Sequence, residues 1–142
     1  GLSSEAVANG STPAGRSPVA VAIPMNDRQW KFVPRKRNPA GRRFELARFL
    51  AEYLRPSTRE ARWLASTDLT TFRQKYQRAF AAEFLCPIDA LMSVLGGDFS
   101  SYAIEDAADR FNVCEQTVTS LLHNNGYIHL PRTGSMPYRM AA

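Results

Sequence analysis

RRFELARFLAEYL, residues 42–54, is the stretch whose reading decides the fold. Phe44, Leu46, Ala47, Phe49, Leu50, Ala51, Tyr53 and Leu54 leave only a narrow polar stripe, so the segment reads as a largely buried helix that Pro56 stops. The stripe is Glu45, Arg48, Glu52 and Arg55, spaced i, i+3, i+7 and i+10 with alternating sign. Its ordinary meaning is a self-neutralising ridge in which each exposed neighbouring pair contributes about 0.2–0.5 kcal/mol.

Upstream of this helix, Pro34 and Pro39-Ala40-Gly41 punctuate the chain, and residues 19–23 and 29–33 are short β-leaning runs separated by Pro24, Asn26 and Asp27. Residues 1–18 are almost all Gly, Ala, Ser, Pro and small polar residues, too poor in apolar surface to offset the entropy of ordering, and read as a disordered tail. Downstream, a short helix is expected near residues 58–65. Thr67-Asp68 offers N-cap chemistry for a long helix, TDLTTFRQKYQRAFAAEFL, with Leu69, Phe72, Tyr76, Phe80 and Phe84 as its apolar stripe and Cys86-Pro87 as its end. Pro87 opens a further helix through Leu95, stopped by Gly96-Gly97. Two more helices follow, at 102–111 and 115–124, and then a terminal strand pair around 131–134. No internal repeat is visible.

The chain has 142 residues, 44% of them hydrophobic and 22% charged, enough for one ordinary domain with a core. We read 1–18 as tail and 19–142 as a single domain, in which 19–41 form a β and basic segment, 42–99 the central helices and 100–142 a C-terminal helical segment. No run approaches the roughly 18 apolar residues of a membrane helix, and no secretory pattern opens the chain, so a soluble cytoplasmic protein is expected. The chain begins with Gly rather than Met, which leaves room for upstream sequence. Cys86 and Cys114 lie far apart outside any CxxC pair, so we expect inert thiols packing as small hydrophobes, with no disulfide or cysteine zinc site.

The formal charge of +5 is unevenly placed: residues 1–43 carry eight Lys/Arg against two acids, the remainder ten against eleven. Arg28, Lys31, Arg35, Lys36, Arg37, Arg42 and Arg43 form a run without an acid. Such a run is ordinarily a solvated segment; its functional alternatives are phosphate tracking and contact with an acidic protein surface.

FELARFLAEYL, then AFAAEFLCP, then IEDAADRFNVCEQTVTSLLHNNGYI, resembles the ImmA/IrrE metallo-endopeptidases in order and spacing, over roughly residues 42–128. In that family the first segment is an HExxH helix, whose two His hold Zn²⁺ and whose Glu activates the bound water. Aligned with it, Arg48 stands at the first His, Phe49 at the catalytic Glu and Glu52 at the second His. The family's third ligand, a Glu shortly before FAA, has no counterpart in Arg73-Gln74-Lys75-Tyr76-Gln77-Arg78. A guanidinium has no lone pair for zinc and Phe49 cannot move a proton, so the resemblance implies a scaffold without catalytic residues, metal or cofactor. A displaced site using Glu52, Glu83, His123 or His129 is the remaining route to an active peptidase.

Ala108, Asn112, Val113, Val118 and Leu121 match the internal template of a helix–turn–helix. The second helix, however, presents Glu115, Gln116, Thr119, Ser120, His123 and Asn124, and no Lys or Arg occurs between Phe111 and Pro131. DNA reading there would rely on Gln116 and Asn124 for base edges and on Arg35 and Lys36 for phosphates.

The expected fold is therefore mainly α (α+β): a helical, zincin-like core with a small N-terminal β element and a helix–turn–helix-like end. The expected function is that of a regulatory protein-interaction module, with a transcriptional regulator as partner because the family's active members act on repressors. The alternatives are a DNA-binding regulator and a peptidase with an unconventional metal site.

Overall fold

A computed structural model describes residues 19–26, 29–55 and 63–129, which form a mixed α+β arrangement of five helices and one three-stranded antiparallel sheet. In chain order the elements are β1 (Ala20–Asn26), β2 (Gln29–Val33), α1 (Pro39–Tyr53), β3 (Leu64–Ser66), α2 (Phe72–Leu85), α3 (Ile88–Leu95), α4 (Ser101–Phe111) and α5 (Glu115–Asn124). The tail expected over 1–18, the terminal strand pair near 131–134 and most of the short helix expected at 58–65 lie outside the described residues.

The sheet has the order β2-β1-β3. Ala22 pairs with Phe32 on one side and Leu64 on the other, and Ala20 pairs with Ser66. Cross-strand partners share a face, so these five residues line one buried side of the sheet. Phe49 of α1 packs into that side, its ring edge-on to Phe32 at 5.3 Å between centroids. β3 corrects the helix expected up to residue 65: Leu64–Ser66 pair with the free edge of β1, whose backbone groups would otherwise lack partners.

α1 begins three residues earlier than its apolar pattern suggested. Asn38 caps it by accepting from Gly41 N at 2.5 Å, and Pro39 sits at the first position, where its missing N–H costs nothing. A Cβ on Gly41 would lie 2.8 Å from Asn38 Oδ1 and 2.9 Å from Lys36 Cβ, so this cap requires glycine. α2 starts later than expected, at the Thr71 cap, because Asp68 is held by Arg35 and Thr67 by the interior network described below.

The second core is helical and apolar. Ala47 of α1, Ala81 and Leu85 of α2, Leu91 and Leu95 of α3, Ala107 and Ala108 of α4, Val113 of the turn after it, and Val118, Leu121 and Leu122 of α5 make it continuous. α4 ends at Asn112, which adopts the left-handed conformation (φ 51°) that Asn tolerates better than most residues, and α5 starts two residues beyond Val113. Arg43 reaches across from α1 to donate to the carbonyls of Phe111 and Asn112 at 2.6 and 3.1 Å, satisfying the C-terminal end of α4.

Candidate functional site

The polar stripe of α1 lies between Phe49, which enters the sheet core, and Ala47, which enters the helical core. It is therefore interior. Glu45, Arg48 and Glu52 are 2%, 2% and 0% exposed, and Glu45 pairs with Arg35 and Glu52 with Arg73 and Arg55, which corrects the expectation of a self-neutralising ridge; only Arg55, just past the end of the helix, is partly open. An unpaired buried charge costs several kcal/mol, so each of these groups needs partners from another element.

α2 supplies most of them. Arg48 Nη2 donates to Gln74 Oε1 at 2.5 Å, to Gln77 Oε1 at 3.4 Å and to the Thr67 carbonyl at 2.7 Å. Gln77 then donates from Nε2 to Glu52 Oε2 at 2.9 Å and to the Ala65 carbonyl at 3.3 Å, so one amide bridges the guanidinium and the carboxylate. The other Glu52 oxygen meets Arg73 Nη2 at 2.9 Å and Arg55 Nη1 at 3.6 Å. Gln74 also accepts from Thr67 N at 3.0 Å. Burial first, then the charges of Arg78 and Arg35, lower the Arg48 guanidinium to about 10, which leaves it protonated at neutral pH. Its Nε is buried without a hydrogen bond among the described residues, a residual cost of the arrangement.

A second polar tie fastens the segment between β2 and α1. Glu45 accepts from the backbone N–H groups of Arg35 and Lys36 at 2.8 and 3.1 Å and from Arg35 Nε at 3.1 Å. Arg35 then grips Asp68 with both terminal nitrogens, at 2.6 and 2.8 Å. That hydrogen bond pulls the Asp68 carboxyl below its ordinary range; burial lowers the Arg35 guanidinium's affinity for its proton, but Asp68 and Glu45 outweigh it and raise the group overall.

No family model, curated protein or solved structure matches the chain. The functional reading therefore rests on what these residues can do. Arg48, Phe49 and Glu52 are all interior: Arg48 and Glu52 share one face at i, i+4 spacing, and Phe49 is committed to the sheet core. The donor set does not fit zinc. Arg48 offers no lone pair and brings a positive charge, Gln74 and Gln77 are neutral amides, and the single carboxylate of Glu52 is already taken up by Gln77, Arg73 and Arg55. Among the described residues no three His, Cys, Asp or Glu side chains converge on a common point. The displaced-site candidates are scattered: Glu52 is in the polar seam, Glu83 caps α3 by accepting from Ile88 N at 3.1 Å, and His123 and His129 are exposed.

Three arginines of the basic run are engaged within the fold. Arg35 is held by Glu45 and Asp68, Arg42 donates to the Lys36 carbonyl at 3.2 Å, and Arg43 caps α4. Lys31, Lys36 and Arg37 are exposed, while Arg28 lies outside the described residues. Gln116 and Asn124 are exposed on α5. Of the cysteines, Cys86 is buried, and desolvation followed by Glu83 pushes its thiol up to about 11, an unreactive state at neutral pH. Cys114 is exposed at the start of α5, which corrects its expected burial.

Sequence reading gave Thr67 and Asp68 a capping role that the structure assigns to Thr71, and did not find Arg73, Gln74 and Gln77 as partners of the α1 stripe. The signal was a second row on α2, Gln74, Gln77, Ala81 and Leu85, at the same 3–4 spacing as the aromatic row and outranked by it in hydrophobicity. The aromatic row instead faces out. Leu69, Phe72, Tyr76 and Phe84 are exposed and Phe80 is half-buried, which corrects their assignment as the inward stripe. The reason is room: Ala47 and Ala51 of α1 and Ala81 of α2 are fully packed, and small side chains permit a close helix approach that benzyl groups would prevent.

Proposed function

We propose that this chain is a non-catalytic relative of the ImmA/IrrE peptidases that works as a regulatory protein-interaction module, with a transcriptional regulator as partner. The observation that carries the non-catalytic part is the Arg48–Gln77–Glu52 bridge. A zinc peptidase needs ligands with lone pairs, an open coordination position and a base, whereas these positions hold a cation, two amides and a carboxylate that satisfy one another. With the interior so occupied, activity falls to the surface, and binding is the reading it supports. The regulator as partner comes from the family resemblance.

The DNA-binding reading has less support, because Arg35 is held by Glu45 and Asp68, Arg43 is turned to the carbonyls at the end of α4, and α5 itself carries no Lys or Arg beside Gln116 and Asn124. The deciding experiment is elemental analysis of the untagged protein after zinc has been offered. Metal well below one equivalent is expected. Stoichiometric zinc together with chelator-sensitive proteolysis would overturn the proposal.

A further inference from the structure

The outward row of α2 is a continuous strip. Phe72 is 82% exposed and Phe84 57%; Tyr76 and Phe80 lie between them with ring centroids 6.4 Å apart, and Phe80 stacks on Phe84 at 5.6 Å. Three steps of four residues span about 18 Å along a helix, the length of roughly three turns of a docked helix. Exposed large aromatics in a row are costly in water, and aromatic residues with arginine are the side chains that most often anchor interfaces.

The charges beside the strip narrow the occupant. Arg55 lies over the Tyr76 ring at 5.7 Å, and Arg73 and Lys75 are exposed on α2 next to Phe72 and Tyr76; the one carboxylate of Glu52 offsets only one of the two arginine charges it meets, so the flank stays basic. The one acid of α2, Glu83, is engaged with the Ile88 backbone. A second copy would bring two basic rims together, whereas an acidic rim would find complementary charge. We propose that Phe72, Tyr76, Phe80 and Phe84 dock an amphipathic helical segment of another protein whose apolar face is flanked by acidic side chains. This deepens the binding reading above by naming its surface and the chemistry of its partner.

The test is selection on the immobilised full chain from a displayed library of helical peptides roughly 18 residues long, with apolar residues at i, i+3, i+4 and i+7 and flanks randomised among Glu, Gln and Lys. Survivors are expected to carry Glu flanks and to bind at least about tenfold more tightly than Lys-flanked twins. Binding should fall at least about tenfold in the Phe72→Ser/Phe84→Ser variant and stay unchanged in Tyr102→Ser, a control for exposed aromatics elsewhere. All three substituted side chains are exposed, so circular dichroism should show intact folds. Selection without acidic preference, or binding indifferent to Phe72 and Phe84, overturns the proposal. A concentration-dependent dimer in sedimentation that the double variant abolishes also overturns it, in favour of a second copy. Peptides that bind elsewhere would leave the interaction-module reading standing, whereas stoichiometric zinc would remove that reading without touching the peptide result.

Discussion

The pair α4–α5 and the seam between α1 and α2 are both helix packings, yet they bury opposite kinds of side chain. In α4 and α5 burial follows hydrophobic periodicity: Ala107, Ala108, Val118, Leu121 and Leu122 go in, while Glu105, Asp106, Glu115 and Gln116 stay out. Across the seam Arg48, Glu52, Gln74 and Gln77 go in, while Phe72 and Phe84 stay out. The difference teaches that hydropathy decides burial only where the polar alternative lacks partners. Where a guanidinium, two amides and a carboxylate satisfy one another, and flanking alanines admit close approach, a polar face can be the interior one.

The largest expected effect strikes the seam. Arg48→Ala strands Gln74, Gln77 and the Thr67 carbonyl and should cost about 3–5 kcal/mol in urea unfolding. Replacing Arg48, Glu52, Gln74 and Gln77 together by Met or Leu should cost far less or even stabilise, because the desolvation penalty vanishes with the charges. A quadruple variant as unstable as Arg48→Ala alone would show that the seam's geometry, not its unpaired polarity, holds the helices.

The apolar core should respond by the usual rule for deleted side chains. Leu91→Ala, at a fully buried site, is expected to cost about 2–5 kcal/mol by the same measurement, with no compensating substitution among polar residues. Gly41→Ala comes next: its Cβ would displace Asn38 Oδ1 and remove the α1 cap, for about 1 kcal/mol in thermal unfolding.

Asp68 gives the smallest effect and a pH signature. Its folded carboxyl is depressed by Arg35, so its contribution is present above its unfolded value of roughly 3.9 and is lost as pH falls through the folded value. Asp68→Asn should therefore lower stability slightly at neutral pH, and the gap to the unaltered protein should close in urea titrations below about pH 4. A gap that widens in acid would overturn the Arg35–Asp68 account.

The positions and ends of α3, α4 and α5 were legible in the sequence to within about a residue, because Pro87, Gly96, Ser100 and Asn112 punctuate strong apolar patterns. β1 and β2 were also visible as β-leaning runs. β3 was not, since three residues carry no periodicity and their strand state comes from the edge of β1. The candidate site was half visible: the spacing of Arg48 and Glu52 put them on one face, but nothing local showed that the face pointed inward.

What the sequence determined by itself was therefore the existence of the five described helices and the placing of Arg48 and Glu52 on one face of α1. Those properties depend on side-chain chemistry and on neighbours a few residues away. Only the tertiary structure decided which face of α1 and α2 is interior, because that choice depends on two helices approaching through Ala47, Ala51 and Ala81, and on Gln77 linking Arg48 to Glu52 across a sequence separation of 25 residues. A carboxylate and a guanidinium have no fixed place in a fold until the groups that can satisfy them are in reach.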